Sequence, residues 1–246
     1  MNTIGNVMLF LIFVLAITGC VAQSPTQRDN AELRRTIYDA VPDDWRIAAD
    51  SADEISPLAV SPDLRQFILS TVRRPADDRE KMLTLTEAIL DSDGIGLVYD
   101  ADATHTASEA FQSGLANCMG FSNLLVASVR ELGLKAHFEL VLQSPRWDFI
   151  HGVLVETLHV RVVGLVSGRR MVFDFYPLPI KSGYSTRPLT DIDALAHHLN
   201  NLAVRYMQQG NSARAYALLH KAIETSPSIA FVWSNLGVLL SRHQGE

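Results

Sequence analysis

Two alternating stretches on either side of a short turn constrain this chain more than any other feature: His159-Val160-Arg161-Val162-Val163 and Met171-Val172-Phe173-Asp174-Phe175-Tyr176, with Ser167-Gly168 between them. Side chains that change character at every second position suit a strand with two unlike faces, so the pair reads as an antiparallel hairpin. The turn leaves two registers open. Centred between Val166 and Ser167, it sets His159 directly opposite Asp174, with Cβ atoms about 5 Å apart. Centred on Ser167-Gly168, it makes the pair diagonal, at about 7 to 8 Å and still on one face. Asp174 lies in an apolar run where an unpartnered carboxylate is costly. Its partner is either the imidazole of His159, which it would orient, or a guanidinium on the same face, Arg161 or Arg170.

A second pattern lies upstream. Gly114-Leu115-Ala116-Asn117-Cys118 is small and turn-prone, and Phe121, Leu124, Leu125, Val129 and Leu132 then recur at helical spacing until Gly133 offers a stop. This predicts an amphipathic, core-packed helix opened by Cys118. At a helix start, unpaired N–H groups and the positive end of the dipole favour the thiolate, the reactive form of cysteine. The same donors can hold the oxyanion of a tetrahedral intermediate. The bland alternative is that Cys118 is a small buried hydrophobe.

The N-terminus bears on that choice. The apolar stretch Val7–Ile17 is too short for a comfortable membrane span and ends in Ile17-Thr18-Gly19-Cys20. It reads as a signal peptide over residues 1–19, and small residues before a cysteine resemble the bacterial lipobox, in which the thiol of Cys20 takes a diacylglycerol. Residues 2 to 10 lack the usual Lys or Arg. Retained whole, Ile4–Ala22 would instead be a signal anchor. Both readings place the remainder outside the cytoplasm, in the bacterial cell envelope facing the periplasm, and residues 20–30 form a polar tether from lipid to domain. A single lipid holds reversibly unless further acyl chains are added. The chain has two cysteines; with Cys20 lipidated, Cys118 is a lone thiol in a compartment where disulfides normally form.

With 246 residues, 48% apolar and 20% charged, the chain can bury a sizeable core in one or two globular domains. The net charge of −6 has no basic stripe behind it, since Arg34-Arg35, Arg73-Arg74 and Arg169-Arg170 are scattered, so nucleic acid is not expected as a partner. No metal-ligand spacing, phosphate loop or dinucleotide fingerprint occurs, and no cofactor or metal is expected. Of eight histidines, His159 alone lies in the hairpin beside a carboxylate.

These blocks carry a resemblance. Gly114-Leu-Ala-Asn-Cys118-Met-Gly-Phe-Ser-Asn-Leu-Leu, continuing to Arg130-Glu-Leu-Gly-Leu-Lys-Ala136, then His159-Val-Arg-Val and Phe173-Asp-Phe, resemble the transglutaminase-like superfamily, over roughly residues 75 to 246. The look-alikes are bacterial members with tetratricopeptide repeats. The resemblance implies an α+β, papain-like core over 31–187, in which a helix bearing the cysteine packs on an antiparallel sheet. It implies Cys118 as nucleophile, His159 as general base and acid, and Asp174 as orienter. It leaves the reaction open among acyl transfer, deamidation and hydrolysis, or none. Gln112, six residues before Cys118, sits where papain-like proteases place an oxyanion glutamine, or is an ordinary helix-end polar residue. The stretch Ser144–Asp148 to His151 reads as a loop forming a cleft wall, with Trp147 packing at the surface or stacking on substrate.

Upstream, Leu64–Val72 and Glu80–Leu90 show helical periodicity and Thr106-Ala-Ser-Glu109 has the form of a capping box. After Arg187-Pro188 the chain turns helical. Leu202, Ala203 and Tyr206 recur 34 residues later as Leu236, Gly237 and Leu240, while Gly210, Ala215, Leu219, Ala222 and Pro227 fall at tetratricopeptide offsets. Residues 188–246 therefore read as one full repeat plus one helix, which docks on the catalytic domain or self-associates. Two functions follow. One is an exported cysteine enzyme acting on peptide or glutamine amides, and the other is an inactive envelope scaffold that binds a protein partner through the same fold and helices. The enzyme requires the Cys118 sulfur within about 4 Å of one His159 ring nitrogen and the Asp174 carboxylate on the other.

Overall fold

The computed structural model describes residues 32, 34–50, 54–74, 77–150, 153–175 and 185–244. The signal segment 1–19, Cys20, the tether 20–30, His151 and Tyr176 lie outside the described residues. Residues 1–40 and 41–246 are separate units. In the first, residues 34–39 are helical.

The second unit begins with helices whose starts are set by local chemistry: α1 (Asp43–Asp50), α2 (Pro62–Thr71) and α3 (Asp78–Leu90). Ser61 caps α2 ahead of a proline in its first turn, and Asp77 caps α3. A short strand β1 (Val98–Tyr99) precedes α4 (Ala107–Ser113). Thr106 and Glu109 open α4 with a reciprocal capping box, and Gly114 closes it at φ +66, a conformation glycine adopts without strain. Strand β2 (Leu115–Ala116) pairs parallel with β1 and leads into α5 (Cys118–Glu131). Then come β3 (Lys135–Ile150), β4 (Val153–Val166), β5 (Arg169–Phe173) and β6 (Thr186–Leu189).

The main sheet has the order β5-β4-β3-β6 and is antiparallel throughout. Val162 pairs with Phe173 and Val163 with Val172, so the turn is centred on Ser167-Gly168 and the register with His159 directly opposite Asp174 is not the one formed. The reason is the turn itself. Ser167 and Gly168 both have positive φ, 49° and 75°, which is a two-residue turn whose twist matches that of the flanking strands. A second correction concerns 144–148. These residues belong to β3, which pairs with β4 on both sides of an irregularity between Val141 and Arg146 and stays extended to Ile150.

The core lies between this sheet and α2 to α5. Phe138, Leu140, Val160, Val162 and Phe173 from the strands meet Leu64, Ile68, Met82, Leu85 and Ile89 from the upstream helices around α5. Helix α5 differs from its amphipathic pattern in being buried from Met119 through Val129 without a gap. It is flanked by β3 and β4 and by α2, α3 and α4, so no face reaches water, and Ser122, Asn123 and Ser128 are carried into the interior with the rest.

The C-terminal segment is helical: α6 (Asp191–Gln208), α7 (Ser212–Thr225) and α8 (Ala230–Gln244), capped at α6 by Thr190 and at α7 by Asn211. It packs onto the rest of its unit. Arg130 at the end of α5 forms a bidentate pair with Asp191 at 2.6 and 2.9 Å, and α6 lies against β3 and β6. Trp45 of α1 sits against Tyr216 of α7 and His243 of α8, with ring centroids 6.1 and 4.9 Å apart. The architecture is mixed α+β. Among the described residues no helix is long and apolar enough to cross a membrane.

Candidate active site

The start of α5 is held from both sides. Asn117, in extended geometry, accepts the N–H of Gly120 at 2.9 Å and so satisfies one of the orphan donors of the first turn. Its Nδ2 donates to Thr104 Oγ1 at 2.6 Å and to the Ala101 carbonyl at 3.3 Å, and its N–H donates to the Ala103 carbonyl at 2.9 Å. These bonds strap the 101–104 loop across the helix start. Gly120 makes the close approach possible: a Cβ there would stand 2.9 Å from the Ala103 carbonyl oxygen and 3.2 Å from His105 N. Cys118, the first residue of the helix, is half-buried and its sulfur is a free thiol.

His159 is 5% exposed, and its Nε2 lies 2.6 Å from Asp174 Oδ1. Cys118 lies near enough to the same imidazole to raise its pKa, while Nε2 is committed to the carboxylate. Burial by itself would depress the His159 pKa. The hydrogen bond to Asp174 and the nearness of Cys118, reinforced by the charges of both, outweigh it and push the group up to about 9. As imidazolium, His159 donates from Nε2 to the Asp174 carboxylate. The structure thus joins His159 and Asp174 across the diagonal register, which long side chains can span, with Cys118 near the same ring.

The charge state has a measurable consequence. Because the folded value of about 9 lies above the ordinary value near 6.5, His159 contributes stability that is complete below about pH 6.5 and lost as pH rises through about 9. In an NMR titration, the ring is expected to titrate near 9 in the wild type. Cys118→Ala and Asp174→Asn should each move it downward, and together bring it below the ordinary value, since only burial then remains. A wild-type ring titrating at 6.5 or lower would exclude the charged pair.

The two arginines that compete for Asp174 are held elsewhere. Glu139, 2% exposed and paired across the ladder with Arg161, accepts Arg161 Nε at 2.9 Å and Nη2 at 2.7 Å, and its other oxygen takes Arg170. Asp174 is therefore left to His159. Sequence reasoning singled out neither Glu139 nor the Asn117–Thr104 strap. An acid between Phe138 and Leu140 carries the same signal as Asp174, and an Asn before a helix is a cap signal.

Gln112 is exposed in the last turn of α4. His105 Nδ1 lies 3.0 Å from the Leu115 carbonyl oxygen, His198 lies against Asn123 at 3.1 Å, and His197 packs on Phe231. Burial holds His197 and His198 neutral, pushed down to about 4. Among the described residues no cluster of His, Cys, Asp and Glu could hold a metal ion. Comparison with known proteins finds no matching family model, curated protein or solved structure, so the chemistry of this site rests on its own geometry.

Proposed function

We propose that this chain is an exported, membrane-tethered cysteine enzyme of the transglutaminase-like type, acting on peptide or glutamine amides through Cys118, His159 and Asp174. The observation that carries this reading is a buried imidazole hydrogen-bonded to Asp174 Oδ1 at 2.6 Å and near enough to the thiol at the start of α5 for Cys118 to raise its pKa. A structural histidine needs one partner, whereas a general base that becomes a general acid needs both.

The residues suffice for a balanced reaction. The Cys118 thiolate attacks the amide carbonyl carbon, and the electron pair of the C=O moves to oxygen, facing the N–H groups of the first turn of α5. As the intermediate collapses, the C–N bond breaks and His159 gives its proton to the departing nitrogen, which leaves as ammonia or an amine. The acyl group stays on sulfur as a thioester. His159, now neutral, takes a proton from water or a second amine, which attacks the thioester carbon, and the C–S bond breaks to return the thiolate. Asp174 keeps the ring oriented and stabilises the imidazolium.

In this proposal the core is papain-like, residues 188–246 are the tetratricopeptide element, and Cys20 carries the lipid that holds the protein at the envelope membrane. The partner is a protein or peptide substrate. Incubation with glutamine-containing peptides and a labelled amine, followed by mass spectrometry, is expected to give deamidated, amine-bearing or cleaved peptide, with no product from Cys118→Ala. If wild type and Cys118→Ala are alike and no thioester on Cys118 is trapped, the protein is a scaffold and not an enzyme.

A further inference from the structure

Strand β5 is an edge of the main sheet, and among the described residues its only ladder partner is β4. In a hairpin closed by two residues, the pair that flanks the turn, here Val166 and Arg169, exchanges both backbone bonds, and bonded and non-bonded pairs then alternate along the ladder. Met171 and Phe173 therefore turn their N–H and C=O groups toward β4, while Arg170, Val172 and, by the same alternation, Asp174 turn theirs outward. Among the described residues no other segment takes up those outward groups. The opposite edge of the sheet is blunted, because β6 carries Pro188, which has no N–H to offer. Strand β5 has neither a proline nor a bulge, and Val172 at its outer side is 47% exposed.

The residues that turn their backbone outward read Arg170, Val172, Asp174, a cation, an apolar residue and an anion at every second position, with side chains on one face. This order is self-complementary. A second copy laid antiparallel about Val172 sets Val172 against Val172 and, twice over, Arg170 against Asp174. These are also the pairs whose outward N–H and C=O groups point at one another, so side chains and backbone select the same register. The charged groups have capacity to spare. Arg170 gives Nη2 to Glu139, with its side chain 53% exposed, and keeps the rest of its donor fork. Asp174 gives Oδ1 to His159 and keeps its second oxygen.

We infer that this chain forms a two-fold dimer in which the β5 edges of two copies pair antiparallel about Val172, joining their four-stranded sheets into one continuous sheet. The occupant of the edge is a second copy because the strand itself supplies both the charges and their complements in the register that its backbone requires. The interface sets a guanidinium from one copy beside the carboxylate that holds His159 in the other, so assembly and the candidate site share Asp174. A contact built on strands of five residues is small, and the dimer is reversible. The interface stands independently of the proposed reaction, since neither the edge nor its charges involve Cys118.

Sedimentation equilibrium of the full chain over a concentration series is expected to show a monomer–dimer equilibrium that weakens with added salt, because two of its contacts are ion pairs at the surface. Val172→Lys sets two like charges opposite each other in place of two apolar side chains and is expected to raise the dissociation constant by at least about tenfold. Val172→Cys tests the register. In a hydrogen-bonded pair the Cα atoms stand about 5.5 Å apart, within the span of a disulfide. Under mild oxidation the introduced thiols are therefore expected to join two copies at least about tenfold faster than those of Val98→Cys, a position in the other sheet that is 58% exposed, with peptide mapping to identify the joined thiols. A wild type that stays monomeric at every concentration overturns the dimer and needs no variant. Association that is unchanged in Val172→Lys, or equal disulfide rates at the two positions, places the contact elsewhere and overturns the β5 interface.

Discussion

Cys118→Ser is expected to abolish alkylation by iodoacetamide at pH 7 and all turnover, and His159→Ala to lower turnover by about 10²- to 10⁴-fold, the range for loss of a general acid–base. Serine nearly matches the volume of cysteine and keeps the strap over the start of α5, so the loss would be chemical and not structural. The His159 effect follows from geometry. The imidazole is kept charged well above its usual range by Asp174 and the nearby thiol, which gives a thiolate at Cys118 a counter-ion at neutral pH. Removing the ring removes the counter-ion and the proton that the leaving nitrogen needs. Alkylation of wild type at pH 7 should outpace that of glutathione, and His159→Ala should not. Equal rates in wild type and His159→Ala would show Cys118 to be an ordinary thiol.

The largest effect on stability is expected from Glu139. Its carboxylate is buried between Arg161, whose side chain is 19% exposed, and the half-exposed Arg170. Glu139→Gln keeps the shape but leaves Arg161 with a buried charge and no anion, a situation that costs about 3 to 5 kcal/mol when one partner of a buried pair is lost. A value near 3 is expected, because Arg170 can turn to water. Urea unfolding followed by circular dichroism measures it, and Glu139→Leu/Arg161→Met should recover most of the loss, since paired removal leaves no orphan charge. The substitution should also reach the site. One step beyond the Val162–Phe173 pair the ladder sets Asp174 opposite Arg161, so a guanidinium released by Glu139 finds Asp174 next. His159 then loses its orienter and its titration moves down from about 9. A loss of stability with the titration unmoved would confine Glu139 to holding the sheet together.

What was legible and what was not divide by range. The start of α5 at Cys118, the capping box at Thr106 and Glu109, and the three C-terminal helices were readable because caps, stops and helical spacing are local, written within one or two turns of chain. The pairing of His159 with Asp174 was also readable, since both registers put them on one face. Choosing between the registers took the backbone of the turn, where positive φ at both Ser167 and Gly168 matches the twist of the strands. The stretch 144–148 read as a loop because a proline and polar residues punctuate it, yet pairing with β4 holds it extended across an irregularity that absorbs the mismatch.

Sequence alone determined that a cysteine opens a helix and that a histidine and an aspartate share a hairpin face. Only the tertiary structure decided that these three meet, because the contact between α5 and β4 depends on how a fully buried helix settles on the sheet. It also decided that Glu139, distant in sequence from Asp174, draws off the arginines that would otherwise neutralise it. Pattern reports which face a side chain is on. Which charge finds which partner is set by distances between segments far apart in the chain, and those exist only in the folded molecule.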